Sequence, residues 1–142
     1  MPTDCLFCRI AAGEEPAFVV YESDEAVGFL DARPVFPGHV LLVPRKHVVT
    51  YLDLPDELVE PFFAAGRQAA AAVTEGMGAQ GSFVAMNNVV SQSVAHLHLH
   101  IVPRRKGDGL RGFFWPRRKY ADGEAQDCAE RIRAAVVSAS RR

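Results

Sequence analysis

Three of the five histidines in this 142-residue chain fall in one run, His96-Leu97-His98-Leu99-His100-Ile101-Val102. Imidazole alternates with aliphatic side chains. A period of two is that of a β-strand, whose successive side chains point to opposite faces. The pattern predicts a strand from Ala95 to Val102. His96, His98 and His100 would line one face over about 13 Å, at ~3.3 Å per residue. Leu97, Leu99 and Ile101 would enter a core on the other. Imidazole acts as base, nucleophile or metal ligand near neutral pH. A single histidine on an apolar strand reads as structural, whereas three on one face read as a site.

Cys5-Leu-Phe-Cys8 is a CxxC pair. By itself it fits a redox dithiol, half a metal knuckle, or two buried free thiols. No βαβ unit follows to carry a redox pair. A zinc tetrahedron needs two further thiolates or imidazoles, and His47 and His96 are the candidates. Together they would make a closed Cys₂His₂ site of structural type. His96 and His98 are the other possible chelate, an HxH pair on one strand. If Cys5, Cys8 and His47 supply three ligands, one more imidazole suffices and His98 stays free for chemistry.

Just before the histidines, Gln92 and Ser93 supply an amide and a hydroxyl, and Asn87 and Asn88 further amides. Such groups suit phosphate oxygens and a leaving atom, and they are equally common in turns. Asp31, after the apolar segment Val27–Leu30, could hold vicinal ribose hydroxyls or end the strand as a turn residue. Residues 104–119 carry seven cations against one acid, Asp108. They offer charge to a polyphosphate, or form a solvated loop. Phe113, Phe114 and Trp115 inside that stretch point to packing, as at a subunit contact.

The elements that must position these residues follow from pattern and punctuation. Strands are expected near 17–21 and 26–30 with Ser23-Asp24 as the turn, then at 39–43 before Pro44, and at 82–86. Residues 54–75 read as a helix, with Leu58, Phe62, Ala65, Ala69 and Val73 recurring every three or four positions. Pro61 inside it should remove a backbone hydrogen bond and kink the helix. A last helix from about 124 to 138 carries Ala125, Cys128, Ala129, Ile132 and Val136 on one stripe. Strands in sequence with one long crossing helix predict an α+β fold around an antiparallel sheet. The length fits one domain over 1–142, with a loop-and-helix extension from about 106.

Bulk composition excludes several classes. Apolar content is 49%, charged content 23% and net charge −1. No global field draws the chain to nucleic acid or an anionic membrane, and no apolar run approaches bilayer length. The N-terminus does not read as a signal peptide. Three cysteines make no disulfide framework, so a cytoplasmic setting is expected.

With the triad, its preceding Gln-Ser-Val, the Cys5-Leu-Phe-Cys8-Arg-Ile start, and the segments Phe29-Leu-Asp-Ala-Arg-Pro34 and Pro37-Gly-His-Val-Leu-Leu-Val-Pro-Arg-Lys-His47, the chain resembles the histidine-triad (HIT) superfamily, in its zinc-containing bacterial branch. The likeness runs from about residue 4 to 105. It implies a five-stranded antiparallel sheet with one long central helix and a C-terminal helix, and a homodimer. It also implies a nucleotidyl hydrolase or transferase that cleaves a nucleoside 5′-monophosphoryl bond, of the purine nucleoside phosphoramidate type. Dinucleoside polyphosphate hydrolysis is the alternative within the class, and a non-catalytic nucleotide-binding regulator the alternative outside it. Carried over by position, His98 is the nucleophile and His100 contacts phosphate. Gln92 and Ser93 bind phosphate and leaving group, with Asn87 near them. Asp31 holds the ribose, and Ile10, Phe29 and Leu30 lie by the base. Cys5, Cys8, His47 and His96 match the ligands of a structural zinc; no redox cofactor is implied. Many members have glycine where this chain has Ser91.

Overall fold

The computed structural model describes residues 4–110 and 117–139. The chain divides into two compact units, residues 1–108 and 109–142.

The first unit is built on a five-stranded antiparallel sheet in the order β1-β2-β3-β5-β4. The strands are β1 (Val19–Glu22), β2 (Ala26–Leu30), β3 (Val40–Pro44), β4 (Gly81–Ala85) and β5 (Leu99–Arg104). Ser23 makes the first hairpin, its hydroxyl accepting from the backbone N–H groups of Glu25 and Ala26 at 3.3 and 3.1 Å. β2 and β3 pair from Ala26 opposite Pro44 to Leu30 opposite Val40. Pro44 is thus the last residue of β3 rather than its stop, which a strand terminus tolerates.

The two faces of the sheet bury different side chains, as the strand period requires. One face presents Ala26, Val40, Leu42, Leu99 and Ile101 to α2 (Asp56–Gly76), which answers with Phe62, Ala65, Ala69 and Val73. Phe62, Leu42 and Ile101 are fully buried, and side chains of this kind contribute about 1.5–3 kcal/mol each on burial. Gly66 lets α2 approach: a Cβ there would lie 3.0 Å from a methyl of Leu99. The helix runs on through Pro61, which sits in its second turn.

The other face carries Val27, Phe29, Leu41 and Val43, covered by Phe7 and Ile10 of a short helix α1 (Leu6–Ala11). The sequence pattern does not predict α1. It is six residues long, too short for a periodicity to register. Cys5 starts it, its sulfur accepting from the Cys8 N–H at 3.4 Å.

In the second unit, α3 (Glu124–Ala139) is the one helix among the described residues. Cys128 and Ala129 of its predicted stripe are half-buried, while Ile132 and Val136 stay exposed. Among the described residues of this unit there is no second helix or strand against which to bury the stripe. Phe113, Phe114 and Trp115 lie outside the described residues. No described helix is long and apolar enough to cross a membrane.

Candidate active site and metal centre

The histidine run crosses from loop to strand. β5 begins at Leu99, so His96 and His98 precede it rather than belonging to it as the sequence predicts. The alternation nevertheless holds from Leu97 onward, because the Leu97 N–H donates to the Val48 carbonyl at 2.7 Å and keeps the chain extended. Leu97, Leu99 and Ile101 enter the α2 core. The three imidazoles lie apart from it, with the α1 residue Phe7 edge-on to His96 and His98 at 6.0 and 5.1 Å between ring centres.

The two buried imidazoles have defined tautomers, since a carbonyl can only accept. His98, 3% exposed, has Nδ1 2.8 Å from the His96 carbonyl, so Nδ1 carries the proton and Nε2 the free lone pair. His96, fully buried, has Nε2 2.8 Å from the Pro44 carbonyl, so its lone pair is on Nδ1.

That Nδ1 faces two sulfurs, Cys5 Sγ at 3.4 Å and Cys8 Sγ at 3.5 Å, and Cys8 Sγ lies 3.3 Å from His47 Nδ1. All four donor atoms fall within 4.8 Å of one another. Two thiols and two imidazoles at tetrahedral-edge separations are the donor set and spacing of a zinc site. Burial first, and then the adjacent Cys5 thiol, push the Cys8 thiol up to about 11. Burial likewise pushes His96 down. Both shifts favour neutral groups, and a dication among the four would reverse the thiol shift and draw out thiolates.

His98 and His100 open onto a cavity of about 1120 Å³, also lined by Phe7, Ile10, Phe29, Leu30, Asp31 and Ser93. Its walls are mainly apolar with a few polar side chains among them, which is the character of a small-molecule pocket. Asp31 takes the turn role and also stands in the cavity wall. One carboxylate oxygen accepts from the Arg33 N–H at 2.9 Å in a turn, while the residue lines the cavity.

Two of the predicted site residues stand outside the cavity lining. Neither Asn87 nor Gln92 lines the cavity. The Gln92 amide is used at both ends, accepting from the Val89 N–H at 2.9 Å and donating to the Val49 carbonyl at 2.5 Å. Both bonds hold the shape of the loop. That loop turns through left-handed backbone at Val89 (φ 71°) and Ser91 (φ 62°), conformations that cost non-glycine residues about 1–3 kcal/mol each. Asn88 braces it by accepting from the Tyr51 N–H at 2.8 Å. In the basic stretch, Arg104 is paired with Asp108 at 2.6 Å, and the Arg105 guanidinium donates to the Met77 and Gly78 carbonyls at the end of α2. Two of the cations expected to meet polyphosphate are therefore engaged within the fold.

Sequence reasoning missed Phe7, whose aromatic ring between two cysteines is its only signal, and His39. The His39 ring is buried, with Nε2 3.0 Å from His100 Nδ1 and 3.7 Å from an Asp31 oxygen. Burial, and then the neighbouring His98 and His39, push His100 down to about 4; burial pushes His39 down too. Between pH 4 and the ordinary imidazole value near ~6.5, the unfolded chain binds protons that the folded chain does not. Stability is therefore fully present above that range and lost as pH falls toward 4, by on the order of 3 kcal/mol for His100. Urea midpoints at about pH 7.5 and 5 should show roughly two thirds of this drop, and His100→Gln should shrink it. An equal drop in both proteins would remove His100 as its source.

Comparison with known proteins agrees with this picture. The HIT domain model matches residues 12–107. Protein hit of Bacillus subtilis is 35% identical over 137 residues, covering 94% of this chain and 92% of its own. A zinc-bound histidine triad family protein from Mycobacterium smegmatis superposes with a TM-score of 0.71 at 39% identity, over 96% of this chain and 97% of that one. Adenylylsulfatase HINT3 of Arabidopsis thaliana is 31% identical over 112 residues, 78% of this chain and 57% of its own length.

Proposed function

The chain belongs to the HIT domain family, and from that premise we propose that it is a nucleotidyl hydrolase or transferase, cleaving a nucleoside 5′-monophosphoryl bond of the purine nucleoside phosphoramidate type through a nucleotidyl-histidine on His98. The observation that carries this reading is the pinned His98 ring. Its Nδ1–H is held by a carbonyl at 2.8 Å, and its free Nε2 belongs to a residue lining a large cavity. An imidazole so held is a nucleophile with its tautomer already chosen.

In this reading Nε2 of His98 attacks the α-phosphorus and the bond to the leaving group breaks. Water then attacks the adduct and frees the nucleoside monophosphate. Ser93 and His100 donate to the phosphate oxygens as negative charge builds on them. The Asp31 carboxylate accepts from the ribose hydroxyls, and Ile10, Phe29 and Leu30 pack on the base. Cys5, Cys8, His47 and His96 hold a structural zinc. It takes no part in a step and fixes the N-terminus against the start of the histidine run. No redox cofactor enters.

The kinship to a protein named as an adenylylsulfatase supports adenylyl transfer from a small leaving group. The internal pairing of Arg104 and Arg105 weakens the dinucleoside polyphosphate alternative. Release of AMP from a panel of adenosine phosphoramidates, adenylyl sulfate and dinucleoside polyphosphates tests the reading. Binding of AMP without release from any of them would favour the non-catalytic regulator.

The working unit we propose is a homodimer. β1 and β4 are the outermost strands of the sheet among the described residues, and Val84 on β4 is exposed; an outermost strand is where a second copy could pair. Light scattering at micromolar concentration should give twice the chain mass, and a monomer mass would refute this.

A further inference from the structure

His39 takes no part in the chemistry proposed above, yet it is 3% exposed and held at both ring nitrogens. Its Nδ1 lies 3.0 Å from the backbone nitrogen of Val35. A backbone N–H can only donate, so Nδ1 carries the lone pair, and the proton of a neutral His39 is on Nε2. That Nε2 lies 3.0 Å from Nδ1 of His100. With His39 donating, Nδ1 of His100 must accept, and the proton of a neutral His100 is left on its own Nε2. The opposite sense would set two N–H groups against each other at Val35, leaving one unmatched in a buried site. Burial pushes both rings down, His100 to about 4. The three atoms of Asp31, His39 and His100 also lie close enough to embrace a cation. A 3.0 Å gap between one ring donor and one ring acceptor is instead the length of a hydrogen bond.

We propose that His39 is a positioning residue that locks His100 as its Nε2–H tautomer, so that the cavity meets a fixed hydrogen-bond donor at this position. The information runs from the Val35 amide through His39 to His100. A donor attracts a phosphoryl oxygen or a departing atom, and the other tautomer would turn a lone pair toward the same charge. The tautomer assignment rests on hydrogen-bond direction alone, while its effect on turnover rests on the hydrolase reading.

The test is long-range proton–nitrogen correlation on the full-length protein labelled with ring-¹⁵N histidine, with His100 assigned through His100→Gln. The wild type should show His100 protonated on Nε2. His39→Leu, which keeps the bulk and removes the donor, should release His100 into a mixture with the Nδ1–H form. His39→Gln, whose amide both accepts and donates, should restore the single form. On a substrate that the wild type turns over, kcat should fall about tenfold or more in the leucine variant, as for loss of one buried hydrogen bond. KM should change little, and the glutamine variant should recover most of the loss. A wild-type His100 protonated on Nδ1 would overturn the proposal, as would an unchanged tautomer in His39→Leu. Should the leucine variant fail to fold, the wild-type and glutamine spectra decide it. A correct tautomer pattern in a protein that turns over no nucleotide would refute the hydrolase reading and leave this assignment standing.

Discussion

Replacing His98 with alanine is expected to lower nucleotide release by ~10⁴-fold or more, the loss that follows removal of a covalent nucleophile. No other imidazole can substitute. His96 faces the sulfurs, and His100 has its Nδ1 beside His39 with a ring pushed down by burial. The fold should survive, because His98 contributes one hydrogen bond to a carbonyl and edge contacts with the Phe7 and His100 rings. Nucleotide affinity should also survive, since Asp31, Phe29 and Ile10 are untouched. The decisive measurement is single-turnover AMP release beside equilibrium binding of a non-cleavable analogue. A variant that keeps most of the wild-type rate would show that His98 is not the nucleophile. Loss of binding together with rate would reassign it to holding the nucleotide.

Removing metal is the second large effect. Protein purified without added metal is expected to hold about one zinc per chain, and stripping it should lower the melting temperature sharply. Structural zinc sites carry apparent binding energies of about 10–16 kcal/mol, which enter the folding free energy when the unfolded chain lacks the site. Here the four ligands come from three separate stretches, at residues 5–8, at 47 and at 96. Without the ion, one buried thiol, one half-buried thiol and two imidazoles would face one another with no common partner. Elemental analysis and calorimetry before and after chelation provide the check. A metal-free protein with an unchanged melting temperature would sink the structural role. Zinc bound through His98 would sink the nucleophile assignment as well.

The sheet and the long helix were legible in the sequence because both rest on periodicity. Leu97, Leu99 and Ile101 announce one face of the last strand, and Phe62, Ala65, Ala69 and Val73 announce the buried stripe of α2. The ligand set was legible from residue type, and the structure brings Cys5, Cys8, His47 and His96 together. What failed to show is what depends on partners far apart in the chain. His39 and His100 are 61 residues apart and meet only across paired strands, so a lone histidine opening a strand reads as core. Gln92 is an amide that suits a phosphate or a loop carbonyl equally, and only the position of Val49 decides between them. Ser91 takes the left-handed backbone that a glycine would adopt freely. The fold at this point overrides the local preference of the residue.

The helix α1 serves two neighbours at once. Cys5 caps it and Cys8 lies within it, while Leu6, Phe7 and Ile10 of the same six residues form a wall of the cavity. An occupant of either place restrains the same short segment. Whatever ordering one ligand imposes on α1, the other no longer has to supply, so each should raise the affinity of the other, and by thermodynamic necessity the two factors are equal. A cell that withholds zinc would then see more than a weaker fold: a higher concentration of nucleotide would be needed to fill the pocket, and nucleotide in excess would slow the escape of the metal.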